Sequence, residues 1–301
     1  MSQPLFLTLR LESINVKLVV NDFKKRRMIM KKKLIVTDID GTLVNDQKEI
    51  MPETKGELKR LIAQGHRVVL CSGRSINGLK DYLMTLGLWA RPNEYAITFN
   101  GGNIYNLATM ESIDAHYLST DQAIEADRLA KKLKVGDTLV AASQKSYAVN
   151  SQMNAQALED IRDSQLVPIE TNNYDFLEGE NIQKCLWTDE PDRITTVTQK
   201  IPAKYCDEFQ IVRSGPIFLE FLPQDSSKGN AVHHLAQRLN VDLKDVIVFG
   251  DEENDLSMFK VAGTAVAMRN ARDEIKEYAD QITVADHNHD GIGKTLKVMF
   301  E

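Results

Sequence analysis

Cysteine is scarce in this chain: Cys71, Cys185 and Cys206 are the only three in 301 residues, and no two have CxxC spacing. That excludes a disulfide scaffold or a zinc ribbon, and it fits reduced, mostly packed thiols in a cytoplasmic protein. No apolar run approaches the roughly 20 residues of a membrane-spanning helix. The N-terminus also lacks the charged-then-apolar layout of a secretory signal. Basic excess is missing as well, with 37 Lys and Arg against 43 Asp and Glu and a formal net charge of −6. Nucleic-acid binding as a main business is therefore not expected, although a local basic pocket stays open. No internal repeat or low-complexity segment is present. The remaining composition, 43% hydrophobic and 27% charged, is that of an ordinary globular protein. A length of 301 residues exceeds a comfortable single core, which predicts two domains or one interrupted by another.

Residues 1–29 stand apart. LFLTLRLESINVKLVV alternates like a strand, a basic run follows at 24–27, and Met28 and Met30 come just before the first clear strand. The expectation is an extension outside the fold, from a start assigned upstream, so that truncation to Met30 leaves fold and activity intact. From residue 33 short apolar strands alternate with helical segments, the pattern of parallel βαβ units. Strands are predicted over 34–39 (LIVTDI), within HRVVLCSGR and within YAITFNGG, with helices from Pro52 to Gly65 and over 76–86. Around Ser112 the rhythm changes to a helix over 120–134, a strand pair (DTLVAAS, SYAVN), a helix over 155–163, the strand IQKCLWTD, a helix over 191–201 and the strands FQIVRS and FLEFLP. The parallel rhythm returns with a helix over 228–239, the strand DVIVFGD, a helix over 254–261, the strand TAVAM, a helix over 271–279, the short strand ITVA and a helix over 291–300. The fold class expected is α/β, a doubly wound parallel-sheet (Rossmann-like) core made of residues 30–112 and 217–301, with an inserted α+β cap over 113–216.

Polar residues cluster in equivalent places. Asp38 and Asp40, two apart, leave the first strand on one face, and Gly41 lets the backbone turn. Ser72 and Gly73 end the second strand, Lys228 opens a helix, and Asp251, Asn254 and Asp255 follow VIVFG. In open parallel sheets ligands bind outside the carboxyl ends of the strands, where three of these clusters fall. The three acids Asp38, Asp40 and Asp251 offer hard oxygen ligands suited to Mg²⁺. Ser72, the amide of Gly73, Lys228 and the amide of Asn254 supply donors for a phosphate. Each cluster alone reads equally well as a turn, a helix cap or a solvated lysine. Four such caps at one edge of one sheet do not.

Here the chain resembles the haloacid-dehalogenase-like superfamily, specifically its Cof-type phosphatases with a large α/β cap (subclass IIB, sugar-phosphatase-like). DIDGTLV is similar to the family's nucleophile motif, CSGR to its phosphate-binding motif, QDSSKGNAV to its lysine motif and GDEENDLSMF to its metal motif. ITFNGG and FLEFLP, at the two crossings between core and insert, resemble this subgroup too. Ser72 stands where Thr is frequent, which preserves the hydroxyl, and the 29-residue leader has no family counterpart. The resemblance implies a Mg²⁺-dependent phosphatase working through a phosphoaspartyl intermediate on a small phosphorylated metabolite, with a sugar phosphate the expected substrate. Asp38 would be the nucleophile and Asp40 the acid and base. Mg²⁺ would be held by the Asp38 carboxylate, the Asp40 carbonyl and the Asp251 carboxylate, and Ile39, Ser72, Gly73, Lys228 and Asn254 would hold phosphate. Asp255 would orient Lys228 or a metal-bound water, and Arg74 would hold the second motif's loop or touch substrate. The cap would choose the leaving group and close over the site, with hinges near 100–102 and 216–220.

Lys184 and Arg213 on cap strands could reach an anionic substrate, but solvated strand-edge charges are expected. The pair His287 and His289 lacks the further ligands a transition metal would need, and packing or solvent is expected for His233 and His234. Two other functions stay open. A sugar phosphomutase would return the phosphoryl group to sugar, and a receiver-like signalling module would keep it on Asp38. Chain length, the inserted domain and Asp40 stand against the receiver. A silent phosphate-binding protein would be expected to lack a motif residue, and none is missing. No nucleic-acid or membrane partner is expected, and oligomeric state is left open.

Overall fold

The structure, a computed structural model, describes residues 31–301; the expected extension at 1–29 lies outside the described residues. Lys33–Glu301 forms one compact unit containing two sheets. The first sheet takes β1 (Leu34–Thr37), β2 (Arg67–Cys71), β3 (Tyr95–Thr98), β4 (Asn103–Asn106), β5 (Glu111–Ala115), β12 (Val246–Gly250), β13 (Thr264–Ala267) and β14 (Gln281–Ile282) in the order β14-β13-β12-β1-β2-β3-β4-β5. Pairing is parallel from β14 to β3 and antiparallel across β3-β4-β5.

The strands are buried on both faces, and alternation sorts their side chains to two helix layers. Ile35, Leu70, Ile247 and Phe249 pack against helices α1 (Pro52–Ala63), α2 (Ile76–Leu86) and α10 (Gly291–Phe300) through Leu58, Leu79, Leu83 and Leu296. Leu34, Val36, Val246 and Val248 face the other way, onto α7 (Lys228–Arg238) and α8 (Leu256–Val261) through Val232, Leu235 and Met258. Chain order runs outward in both directions from β1 and β12, so the topological switch point lies between their carboxyl ends.

The second sheet has the order β10-β11-β9-β6-β7-β8, built from β6 (Asp137–Ala142), β7 (Lys145–Val149), β8 (Val167–Thr171), β9 (Ile182–Thr188), β10 (Phe209–Gly215) and β11 (Phe218–Pro223). Only the β7–β8 pair is parallel. One face is covered by α3 (Thr120–Leu133), α5 (Pro191–Thr198) and α6 (Lys204–Glu208), around Ala126, Trp187, Ile194 and Phe221. On the other face α4 (Ala155–Ser164) packs through Ala157 and Ile161, joined by Phe99 from the end of β3.

The expected boundary at 112/113 cuts β5, and the one at 216/217 falls in the turn that joins β10 to β11 within one hairpin. Residues 111–115 pair with β4 in the first sheet, while Phe218–Pro223 pairs with β10 and β9 in the second. Sheet membership therefore moves the crossings to residues 116–119 and 224–227. Three strands were not anticipated: β4 and β5, a short polar hairpin that ends the first sheet with β5 at its edge, and β8, whose Pro168 sits in an edge strand, where a missing amide costs no ladder bond. The helix expected over 271–279 is confined to α9 (Asp273–Lys276), and the last strand is Gln281–Ile282, which shares only Ile282 with the expected ITVA.

Candidate active site

The β1–loop turn and the β12–loop turn bring their acids together at the switch point. Gly41 has φ +72°, and a Cβ there would come within 2.3 Å of Asp251 Oδ2, so this close approach requires glycine. Thr42 Oγ1 donates to Asp251 Oδ1. Asp38, Asp251 and Asp255 each offer an oxygen within 4.8 Å of the others, all buried.

Lys228, the first residue of α7, is 1% exposed, and its Nζ donates to Asp38 Oδ1 at 2.7 Å and to Asp255 Oδ1 at 2.6 Å. Ser227 caps that helix by accepting from the Asn230 amide, which fixes where the lysine starts. The remaining Asp255 oxygen accepts the amides of Asp251 and Glu252, so Asp255 is fully engaged and holds the loop and the lysine in place.

Burial and the charge of Asp255 push the Asp38 carboxyl up to about 7 despite Lys228 beside it. Burial and the Asp38 charge push Asp251 well above the usual carboxylate range. Lys228 is also raised: burial alone would lower it, but the Asp255 and Asp38 carboxylates outweigh burial.

Asp40 stands in a different field. Arg74 donates to it through Nε (2.8 Å to Oδ2) and Nη2 (2.6 Å to Oδ1), and Lys48 Nζ lies 2.5 Å from Oδ1. Burial would raise this carboxyl, yet Arg74 and Lys48 together hold it below its ordinary value. Both cations also reach Asp163 on α4, at 3.3 Å and 3.1 Å. An ion cluster therefore spans the two sheets' elements directly over Asp40.

Ser72 is buried, and its Oγ accepts from the Arg74 amide at 3.2 Å. Gly73 lines the cleft beside it. The Ile39 side chain is in the core, and its carbonyl accepts the amides of residues 42–44. Asn254 donates through Nδ2 to Asn100 Oδ1 (3.0 Å), and Asn100 donates to Glu220 Oε2 (2.9 Å) on β11. A carboxylate oxygen can only accept, so Glu220 sets the amide orientation along this chain. Asn254 Oδ1 is left buried with no protein partner.

A cleft of about 360 Å³ opens over these groups. Its floor includes Asp38, Asp40, Ser72, Gly73, Asp251 and Asn254, and its roof is made by Glu159, Asp163, Ser214 and residues 215–218. Asp38, Asp40, Ser72, Gly73, Arg74, Asp251 and Asn254 all line this cleft, Lys228 and Asp255 join it through Asp38, and the Ile39 side chain lies in the core.

Several neighbours were not anticipated. Lys48 lies in a polar loop that reads as surface. Thr42 sits inside the first motif, where its hydroxyl was the available signal. Asp163, on α4 against the second sheet, and Glu220, on β11 within it, were invisible without that sheet's placement. The expectation for Lys184 is overturned: it is 1% exposed, 3.0 Å from Asp160 and 3.4 Å from Glu220, because β9 is a central strand buried along its whole length. Arg213 donates to backbone carbonyls of Pro191, Gly215 and Pro216 and to Thr195 Oγ1, tying down its own turn. His287 meets Asp46 at 2.8 Å and His289 meets Asp286 at 2.6 Å. His233 meets Gln237 at 2.8 Å.

A doubly wound core with carboxylates and a buried lysine at its switch point, roofed by a second sheet, is the architecture of a phosphoryl-handling α/β hydrolase. Comparison with known proteins agrees. A family model described as haloacid dehalogenase-like hydrolase matches residues 35–296, and the chain belongs to that family, as a phosphatase of its Cof-type branch. It is 33% identical over 267 residues to a candidate phosphatase of Streptococcus pyogenes serotype M6, spanning 88% of this chain and 97% of that protein. It is 30% identical over 272 residues to the 5-amino-6-(5-phospho-D-ribitylamino)uracil phosphatase YwtE of Bacillus subtilis, spanning 83% and 92%. Among solved structures, a haloacid dehalogenase-like hydrolase from Bacteroides thetaiotaomicron superposes with a TM-score of 0.77 at 29% identity, covering 90% of this chain and all of that one.

Proposed function

We propose that this phosphatase hydrolyses a small phosphorylated metabolite, a sugar or polyol phosphate, through a phosphoaspartyl intermediate on Asp38, with Mg²⁺ as cofactor. The observation that carries the reading is Asp38 itself: a buried carboxylate at the cleft floor, held by Lys228 and set against Asp251. An Asp38 oxygen attacks phosphorus, and the bond to the leaving oxygen breaks. Asp40 gives that oxygen a proton and later takes one from the water that attacks the phosphoaspartyl group. In the free protein Arg74 and Lys48 keep Asp40 ionised; an arriving phosphoryl dianion draws on the same two cations, which returns Asp40 toward a protonated carboxyl. Ser72, Lys228, the backbone at Ile39 and Gly73, and Asn254 grip the phosphoryl oxygens, whose charge needs support throughout transfer.

The donor set fits Mg²⁺. It is all hard oxygen, and the raised Asp38 and Asp251 carboxyls mark a repulsion that a dication offsets. Asp38, the Asp40 carbonyl and Asp251 would hold the ion, which would supply charge neutralisation as the anionic nucleophile meets the anionic phosphate. The cleft's size suits a small leaving group, and its roof of carboxylates and Ser214 offers acceptors for hydroxyl groups. The Bacillus subtilis relative named for a phosphorylated ribityl compound supports the same class.

The test is phosphate release from a panel of sugar, polyol, flavin, pyridoxal and nucleotide monophosphates, with and without Mg²⁺, beside Asp38→Asn. Mg²⁺-dependent release that disappears in the variant is expected, with polyol phosphates ranked first. Release that persists in Asp38→Asn would place the nucleophile elsewhere. A phosphorylated Asp38 that survives for minutes, or a retained bisphosphate, would point to the signalling or mutase chemistry instead.

A further inference from the structure

A second cluster of metal-ligating groups lies away from the cleft. Asp114 and His116 are two apart at the end of edge strand β5, so they project from the same face. His234, 118 residues further on in α7, meets them there: its Nδ1 is 2.7 Å from Asp114 Oδ2, and His116 Nε2 is 3.4 Å from Asp114 Oδ1. One ligand atom from each of the three lies within 4.8 Å of the others. Both Asp114 oxygens thus face ring nitrogens. Among the described residues no lysine or arginine forms an ion pair with Asp114.

We infer that Asp114, His116 and His234 form a second divalent-metal site, selective for zinc or a similar nitrogen-seeking first-row ion. Two imidazoles and one carboxylate form a common zinc donor set, whereas the all-oxygen set at Asp38 and Asp251 suits a hard ion. Tetrahedral zinc with bonds of about 2.0–2.1 Å places its ligand atoms about 3.3 Å apart. The three side chains are 27–46% exposed, so they can close that difference by small rotations, and water can complete the shell. Binding displaces the Nδ1–H···carboxylate contact of His234, whose ring proton moves to Nε2 when Nδ1 ligates.

The site's position gives it a structural consequence. The His116 amide donates to the Gly102 carbonyl at 2.9 Å, and His116 opens the crossing at 116–119. His234 rides on the helix that begins at Lys228. A bound ion therefore pins that crossing to the helix carrying the buried lysine.

The experiment is Zn²⁺ titration by calorimetry, with Co²⁺ absorption as a spectroscopic check, in an Asp251→Asn background that removes the cleft's own metal site. One equivalent of zinc with micromolar affinity is expected. His234→Ala and Asp114→Asn, added singly, should each weaken it tenfold or more and abolish the Co²⁺ bands. In otherwise unaltered protein His234→Ala should keep its zinc-free phosphatase activity, since His234 touches no cleft residue, while losing the zinc-dependent rise in Tm. The histidine ring NMR signals of His116 and His234 should shift together with zinc in the unaltered protein. Absence of a stoichiometric zinc equivalent, or affinity unchanged by His234→Ala, would overturn the site.

Discussion

Asp38, Lys228 and Asp255 form a charge alternation in which every member is buried. Removing the cation strands two carboxylates out of water, a change that typically costs about 3–5 kcal/mol. Lys228→Met should therefore lower stability by that order in denaturant melts as well as abolish turnover. A stable but inactive variant would mean that the lysine serves catalysis alone. The raised Asp38 and Asp251 carboxyls carry a pH signature. Asp38 binds more protons in the folded than in the unfolded chain between the ordinary value of 3.8 and about 7, and Asp251, also raised, does so above 3.8. Metal-free stability from these two groups thus falls as pH rises through that window. A dication favours the ionised forms and reverses the trend, so the Tm gain on adding Mg²⁺ should be larger above pH 7 than below it. Equal gains on both sides would remove these carboxyls from the metal shell. Asp40→Asn, for its part, should slow turnover by roughly 100-fold or more through lost acid and base work.

Strand ends and crossings place these residues. Phe99, Asn100 and Gly101 all have positive φ (49°, 53° and 96°) where the chain leaves β3. A Cβ on Gly101 would fall 2.1 Å from the Ser227 carbonyl, at the cap of α7. Gly101→Ala should cost about 1–3 kcal/mol from backbone strain and displace Lys228, so Tm and kcat fall together; a drop in neither would remove the contact from the site's support. In β9 and β11, Lys184 sits between Asp160 and Glu220, and Glu220 continues through Asn100 to Asn254. The second sheet thereby orients the Asn254 side-chain amide at the floor of the cleft. The strands carrying the motifs were legible because continuous apolar runs ending in Asp or Ser admit few other readings. The β4–β5 hairpin and β8 were not, because β4 is a four-residue strand with Asn at both ends and the edge strands β5 and β8 bury too little to show a pattern. Lys184 read as surface for a related reason: its burial depends on which strands flank β9, and pairing order is absent from a linear chain.

Across the molecule, α4 is seated on the start of α2. Ser75, the α2 cap, donates to the Ser164 carbonyl at 2.5 Å, and Arg74 reaches both the carbonyl and the side chain of Asp163. Lys48 adds a third link. This docking roofs part of the cleft, and movement of the roof on the crossings at 116–119 and 224–227 is the expected route of substrate entry. Asp163→Ala should loosen the roof by about 1–2 kcal/mol, a factor of 5–30, raising KM while kcat changes little. An unchanged KM would show that the ion pairs do not hold the roof. Hydrogen exchange at both crossings should slow when vanadate and Mg²⁺ are added together, and equal rates would argue for a rigid roof.

From its linear pattern this chain specifies the α/β core, the order of its motifs and the chemistry of its acids, lysine and hydroxyl, because strand alternation and short turns act over a few residues. What required folding was the company each of those groups keeps. Lys48 and Arg74 hold Asp40 ionised, Glu220 orients Asn254 through Asn100, and Asp114 meets His234 across 120 residues. Those relations arise where separate strands and helices converge, and long-range packing alone sets them.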